Sequence, residues 1–350
     1  MVDIEKAEEH LKLIFRGCLG YINNDLKIEK KLDIKFQTDI EEKKIFAKAE
    51  KKENGEYKVT VSLAAYNIIH DYYKQMLVIE GFYNIITLRD KFEEKIASQY
   101  LYILIEMTLR TIIFHELGHI FNGHIDYIKF KIDEYYKVHT VENNVKYVAE
   151  FLENSKISRS YLEPIDWQAL EWNADDFAIT RLIGQYTYID NIDGIIIKSI
   201  EHAFYLITAV VVSMYCLMEM NIVKNNKAMD EYKLEEHLPK RFRLQNYIKV
   251  AELATKHFNR ISLFRDFNER QQFEQVIIRF EEWYVLYTKI KSGELKEGGG
   301  LDETDTTVEN NREQLDGVHI SYYSMVNQYY LQKLPQELKN FTYFKIYYNT

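Results

Sequence analysis

The chain is poor in the residues that break helices. Of its 350 residues only three are proline and 13 are glycine. Proline removes a backbone donor and clashes with the preceding turn, so its scarcity argues against a turn-rich β architecture and for long helices. Cysteine is nearly absent as well. Cys18 and Cys216 stand far apart, with no Cys-x-x-Cys spacing, which predicts two buried thiols in a reducing compartment rather than a disulfide framework. Basic charge is in deficit: 45 Lys and Arg face 54 Asp and Glu, a net charge of −9. A nucleic-acid partner would normally require a basic face, so none is expected. The start, Met1 to Lys6, lacks the basic-then-apolar pattern of a signal peptide, and a cytoplasmic location is the expectation. Long hydrophobic runs are also scarce. Residues 203–218 are apolar apart from Thr208 and Ser213 and are bounded by Glu201, His202 and Glu219. The run is shorter than the ~20 residues that cross a bilayer. It is expected to be a buried core helix, with a membrane segment as the alternative.

What is present is a large apolar fraction, 47%, enough for a sizeable core. Ile4, Ala7, Leu11, Ile14 and Cys18 have helical spacing within residues 2–22. Leu32–Phe36, Lys44–Ala47 and Tyr57–Leu63 suggest short strands, and Glu53-Asn-Gly55 supplies a hairpin turn between the last two. From residue 64 onward the pattern is almost wholly helical, with helices expected over 97–121, 167–185, 193–222, 240–258 and 266–291. Residues 292–315 combine Gly298–Gly300 with many acids and predict a flexible acidic loop. The tyrosine-rich tail, 317–350, is expected to pack back as a helix plus an extended end. The expected fold is α+β and predominantly helical, with a small N-terminal antiparallel sheet. Residues 1–260 would form the main domain and 261–350 a helical C-terminal extension.

One motif carries chemistry. Residues 115–119 read His-Glu-Leu-Gly-His inside an apolar helical stretch. Histidines four apart share a helix face, so His115 and His119 can reach one metal ion. Glu116, one step round, can serve a metal-activated water as base without ligating the metal. Gly118 costs ~1 kcal/mol of helix propensity relative to alanine, and close packing of another element is the better explanation for it. The alternative is two histidines on a helix face with ordinary hydrogen bonds.

A hydrolytic zinc site needs a third protein ligand and an open position. His124 lies about 140° round from His119 if the helix continues, and so points away; it reads as a structural helix-end residue. Glu171 is better placed. Glu171, Ala174, Asp175 and Ala178 fall at i, i+3, i+4 and i+7. Two acids and two small residues on one face suit a metal wall: Glu171 ligates, the alanines allow close approach, and Asp175 accepts from a ligand imidazole's second nitrogen. An acidic solvent-facing stripe is the alternative.

His115-Glu-Leu-Gly-His119 followed by Glu171-x-x-Ala-Asp175 resembles the gluzincin metallopeptidases, most of all their M48-type branch and similar soluble bacterial proteins. The resemblance implies a zincin-like core, a Zn2+ cofactor, His115, His119 and Glu171 as ligands, Glu116 as the catalytic glutamate and Asp175 behind the ligands. It also implies an edge strand beside the metal that pairs with extended substrate, for which Tyr57–Leu63 is the expected strand. His237-Leu-Pro-Lys-Arg-Phe-Arg243 resembles a further M48-type element with its proline displaced to Pro239. Through that likeness His237 would stabilise an oxyanion and Arg243 would partner the active-site acids; a helix start near Pro239 is the alternative. A lesser resemblance is to Lit-like phage-exclusion peptidases, soluble proteins with the same His-Glu-x-x-His core that cut a host translation factor. The expected activity is zinc-dependent cleavage of a protein or peptide substrate by a soluble endopeptidase. The alternatives are a catalytically silent zinc-fold binding module and a membrane-anchored M48-type peptidase.

Overall fold

The computed structural model describes residues 4–25, 32–87, 89, 91–139, 162–187, 191–192, 195–196, 213, 216–217, 243, 246, 250 and 324–343. Most of 203–218, His237, the expected helix 266–291, most of 240–258 and the acidic loop 292–315 lie outside them. The described part is mostly helical with one small sheet. Helix α1 (Ile4–Asp25) precedes three strands, β1 (Ile34–Asp39), β2 (Ala47–Lys51) and β3 (Tyr57–Ser62). Helices α2 (Leu63–Met76), α3 (Glu80–Thr87), α4 (Glu94–Phe121), α5 (His124–His139) and α6 (Pro164–Thr187) follow.

The sheet is mixed rather than antiparallel. Its order is β1-β3-β2, with β1 parallel to β3 and β2 antiparallel to it. The physical reason lies in β3, which is buried along nearly its whole length and so takes the centre, where both faces are covered. Residues 40–46 carry the chain past it to the far side, and the hairpin through Gly55, at φ 85°, returns it. Tyr57–Ser62 is therefore not an edge strand. That place belongs to β2, and among the described residues no strand pairs with its other side. Lys52 N–H donates to Glu56 O and Ser62 N–H to Phe46 O. Antiparallel pairing alternates, so the even-numbered peptide groups of β2 face β3, while those of Ala47, Ala49 and Lys51 face away from it.

Ser62 ends β3 and starts α2. Its hydroxyl accepts from Ala65 N and Phe46 N and donates to Lys44 O, tying the β1–β2 connection to the helix start. Helix α4 is buried on nearly every side from Ile103 to Phe121, as a helix that is apolar all round must be. Its buried Thr108 and Thr111 hydroxyls donate back to Leu104 O and Met107 O, so neither is left unsatisfied.

Helix α4 stops at Asn122-Gly123, where Gly123 takes φ 77°, a left-handed value that only glycine adopts cheaply. The C-terminal residues 324–343 close over this break. A Cβ on Gly123 would stand 2.3 Å from the Phe341 carbonyl oxygen, and Tyr343 N–H donates to Phe121 O. Val326, Tyr330, Leu334 and Leu338 are buried in the same core as α4 and α6. At one end of the expected helix 193–222, Ile195–Ile196 instead pair as a strand with Asn191–Ile192. Asp193-Gly194 between them is a dipeptide that two-residue hairpin turns favour. Ser213 and Cys216 are buried, and no helix among the described residues is long and apolar enough to cross a membrane.

Candidate metal centre

Two helices build the site. Helix α4 presents His115, Glu116 and His119, and α6 presents Glu171 and Asp175. Gly118 permits the approach: a Cβ there would come within 3.3 Å of Ala174 Cα and of the Phe177 side chain. Ala174 and Ala178 are fully buried, so the small residues lie at the helix contact, as the sequence pattern predicts.

The two histidines and Glu171 converge. His115 Nε2 lies 3.1 Å from His119 Nε2 and 3.1 Å from Glu171 Oε2, and His119 Nε2 lies 3.4 Å from Glu171 Oε1. Zinc bonds of ~2.0–2.1 Å in a tetrahedron put neighbouring ligand atoms roughly 3.3 Å apart. Each imidazole nitrogen thus stands near that spacing from the other and from one Glu171 oxygen, Oε2 for His115 and Oε1 for His119. They form the one group of three or more His, Cys, Asp or Glu side chains among the described residues that could hold a metal ion.

The surroundings orient these donors. His115 Nδ1 meets Asp175 Oδ1 at 2.9 Å. Asp175 is in turn gripped by Arg243, with Nε donating to Oδ2 and Nη2 to Oδ1, both at 2.8 Å. Arg243 therefore stands where the resemblance puts it, against a site acid. His119 is served differently. Its Nδ1 lies 2.9 Å from His124 Nδ1, and His124 Nε2 lies 2.8 Å from Asn173 Oδ1. His124 points toward His119 because α4 has already ended at Gly123, so the 140° rotation of a continuous helix does not apply. Asn122-Gly123 was the sequence signal for this; it is a common helix stop.

No protein-family model, curated protein or solved structure matches this chain. The site therefore rests on its own geometry and charge.

That charge is uneven. Glu116, Glu171 and Asp175 are all buried, and Arg243 pairs with Asp175. Burial alone would lower the His115 pKa, yet hydrogen bonds to Asp175 and Glu171 raise it to about 10. Burial pushes Glu116 up to about 7, with the Glu171 charge adding to it against the opposing pull of His115 and a hydrogen bond from the Ala49 backbone. Burial would also raise Asp175, but Arg243 and His115 hold it well below the usual carboxylate range. His119 is held far down by burial, and His124 is brought down to about 4 by the same cause. Two groups thus retain protons beyond their ordinary range where a cation would balance the carboxylates. Glu116 Oε2 is buried with no hydrogen-bond partner among the described residues, a costly arrangement unless something binds there.

Proposed function

We propose that the chain is a zinc metallopeptidase of gluzincin type, cutting an extended segment of a protein substrate. Glu116 carries the proposal: a buried carboxylate oxygen without a partner, one residue along from a metal-competent histidine, is what a hydrolytic site requires and a purely structural metal site does not. His115, His119 and Glu171 would hold the ion, leaving a fourth position open. Zinc held there supplies Lewis acidity, polarising the scissile carbonyl and acidifying a water molecule.

The chain's own groups do the remaining work. Glu116 takes the proton from the attacking water and delivers it to the departing amine. Its pKa near 7, caused first by burial, suits a group that must both accept and release a proton near neutrality. Asp175 holds the His115 ring through Nδ1, and Arg243 holds Asp175. The edge of β2 takes the substrate as an added strand, with the Ala47 peptide group and the Ala49 carbonyl on that side. Ala49 also donates toward Glu116, so a strand laid there would pass beside the base.

The test is metal content together with one substitution. The purified chain should carry about one zinc. Glu116→Gln should keep that zinc and lose hydrolysis by about 10²–10⁴-fold; comparing the proteomes of cells expressing either form would identify the substrate. An unchanged cleavage rate in the variant, or iron in place of zinc, would sink the assignment.

A further inference from the structure

His124 is fully buried, stands at the head of α5, and is not one of the three metal-competent donors. Its two nitrogens are both engaged, one with His119 and one with Asn173. A row of buried groups, Asn122, Asn173, His124 and His119, thus runs from the end of α4 to the metal-facing edge of His119. Such a row transmits a direction, since each imidazole can donate from one nitrogen only while it is neutral.

The direction is set at the far end. Asn122 Nδ2 lies 3.5 Å from the Asn173 backbone carbonyl and 2.5 Å from Asn173 Oδ1. A carbonyl only accepts, so the Asn122 atom facing it is the NH2 group, and that group donates to Asn173 Oδ1 as well. Asn173 Oδ1 therefore presents an acceptor to His124 Nε2, which must carry the proton. His124 Nδ1 is then bare and can only accept, so His119 carries its proton on Nδ1. His119 Nε2, the atom 3.1 Å from His115 Nε2, is left unprotonated, an acceptor facing the other two donors.

We infer that His124 is a positioning residue: it locks the His119 imidazole in the tautomer, and at the ring angle, that presents Nε2 to a metal ion. The inference rests on reading the triad as a metal site. It also makes the two ligand histidines unequal. His115 is backed by a carboxylate and His119 by a neutral imidazole, so His115 is the more basic donor. Burial of all four residues keeps water from substituting for any member of the row.

Two substitutions separate the lock from mere packing. His124→Asn places an acceptor oxygen near the position of Nδ1 and gives up the bond to Asn173. His124→Gln keeps a donor near the position of Nε2 and offers no acceptor to His119. Zinc affinity, measured by chelator competition, should fall by roughly 10–100-fold for His124→Gln and by less than about threefold for His124→Asn. Long-range 1H–15N spectra of histidine-labelled wild-type protein at pH 7 should place the proton of His119 on Nδ1 and that of His124 on Nε2, in both metal-free and zinc-loaded protein. Equal affinities for the two variants, or a proton on His124 Nδ1, would overturn the inference. If the Gln variant does not fold, the wild-type spectra decide. If the wild-type chain binds no zinc, the metallopeptidase reading fails, and the metal-free spectra still judge His124.

Discussion

Two networks of polar side chains hold the described part of this protein together, and they are built on opposite principles. One, between α4 and α6, gathers His115, Glu116, His119, Glu171 and Asp175. The other fastens residues 324–343 through hydroxyl-to-carboxylate bonds: Tyr329 to Asp166, Tyr330 to Asp176, Tyr127 to Glu337, and Tyr57 and Tyr343 to Asp126. In the second network every acid meets its own donors. Asp126 accepts from Tyr57 at 2.6 Å, from Tyr343 at 2.8 Å and from Lys51 at 2.7 Å, and nothing further is needed. In the first network acids outnumber cationic partners, His115 and Glu116 retain protons, and one carboxylate oxygen is left over. A balanced polar cluster is cement. An unbalanced buried one implies a missing positive charge.

That contrast can be broken experimentally, beginning where the effect is largest. Glu171→Ala should weaken zinc binding by more than the ~10–100-fold that loss of an outer partner costs. Metal titration checks this, and an affinity within tenfold of wild type would mean that the α4–α6 cluster is not a ligand set. Gly123→Ala strikes the seam where the two networks meet. A left-handed backbone value costs ~1–2 kcal/mol for a residue with a Cβ, and the clash with Phe341 brings the expected loss of unfolding free energy to about 3 kcal/mol. A loss below about 1 kcal/mol in denaturant unfolding would show that residues 324–343 do not press on this turn.

Smaller effects should come from the cement. Asp126→Asn should cost about 2 kcal/mol near neutrality, since hydrogen bonds to a charged group are worth ~1.5–3 kcal/mol. The sign of its pH dependence follows from the folded protein. Burial would raise the Asp126 pKa, but bonds from Lys51, Tyr57 and Tyr343 lower it below its usual value. Its contribution is therefore fully present above the unfolded pKa of ~3.9 and is lost as pH falls through the lower folded value. Wild type and Asp126→Asn should converge in stability as the solution is acidified below ~pH 4; a gap that widened instead would contradict this. Tyr343→Phe removes one hydroxyl and should cost ~1 kcal/mol while leaving zinc affinity unchanged. A change in zinc affinity would mean that the two networks are energetically joined.

Much of the site was legible before any coordinates. His115, Glu116 and His119 follow from spacing on one helix, and Glu171, Ala174, Asp175 and Ala178 from spacing on another, because helical periodicity converts sequence distance directly into facing. Gly118 announced a close neighbour for the same reason: its cost in propensity called for a packing explanation, and Ala174 and Phe177 provide one. Tyr57–Leu63 matches β3 almost residue for residue and the turn at Gly55 was found, whereas the expected Leu32–Phe36 is shifted from β1 and the expected Lys44–Ala47 shares only Ala47 with β2.

Other features depended on what lies far away in the chain. Alternating apolar residues mark a strand but not its neighbours, so the insertion of β3 between β1 and β2, and the placement of the β2 edge beside Glu116, came from burial of the whole sheet against α4. His124 is not among the metal-competent donors, as expected, but its turn toward His119 was not legible, because a rotation angle presumes an unbroken helix and Gly123 breaks it beneath Phe341, a residue remote in sequence. Local periodicity determined which side chains share a face. Only the tertiary structure decided which faces meet, because long-range packing selects the partner, and with it the excess of buried negative charge that makes His115, His119 and Glu171 a candidate metal centre.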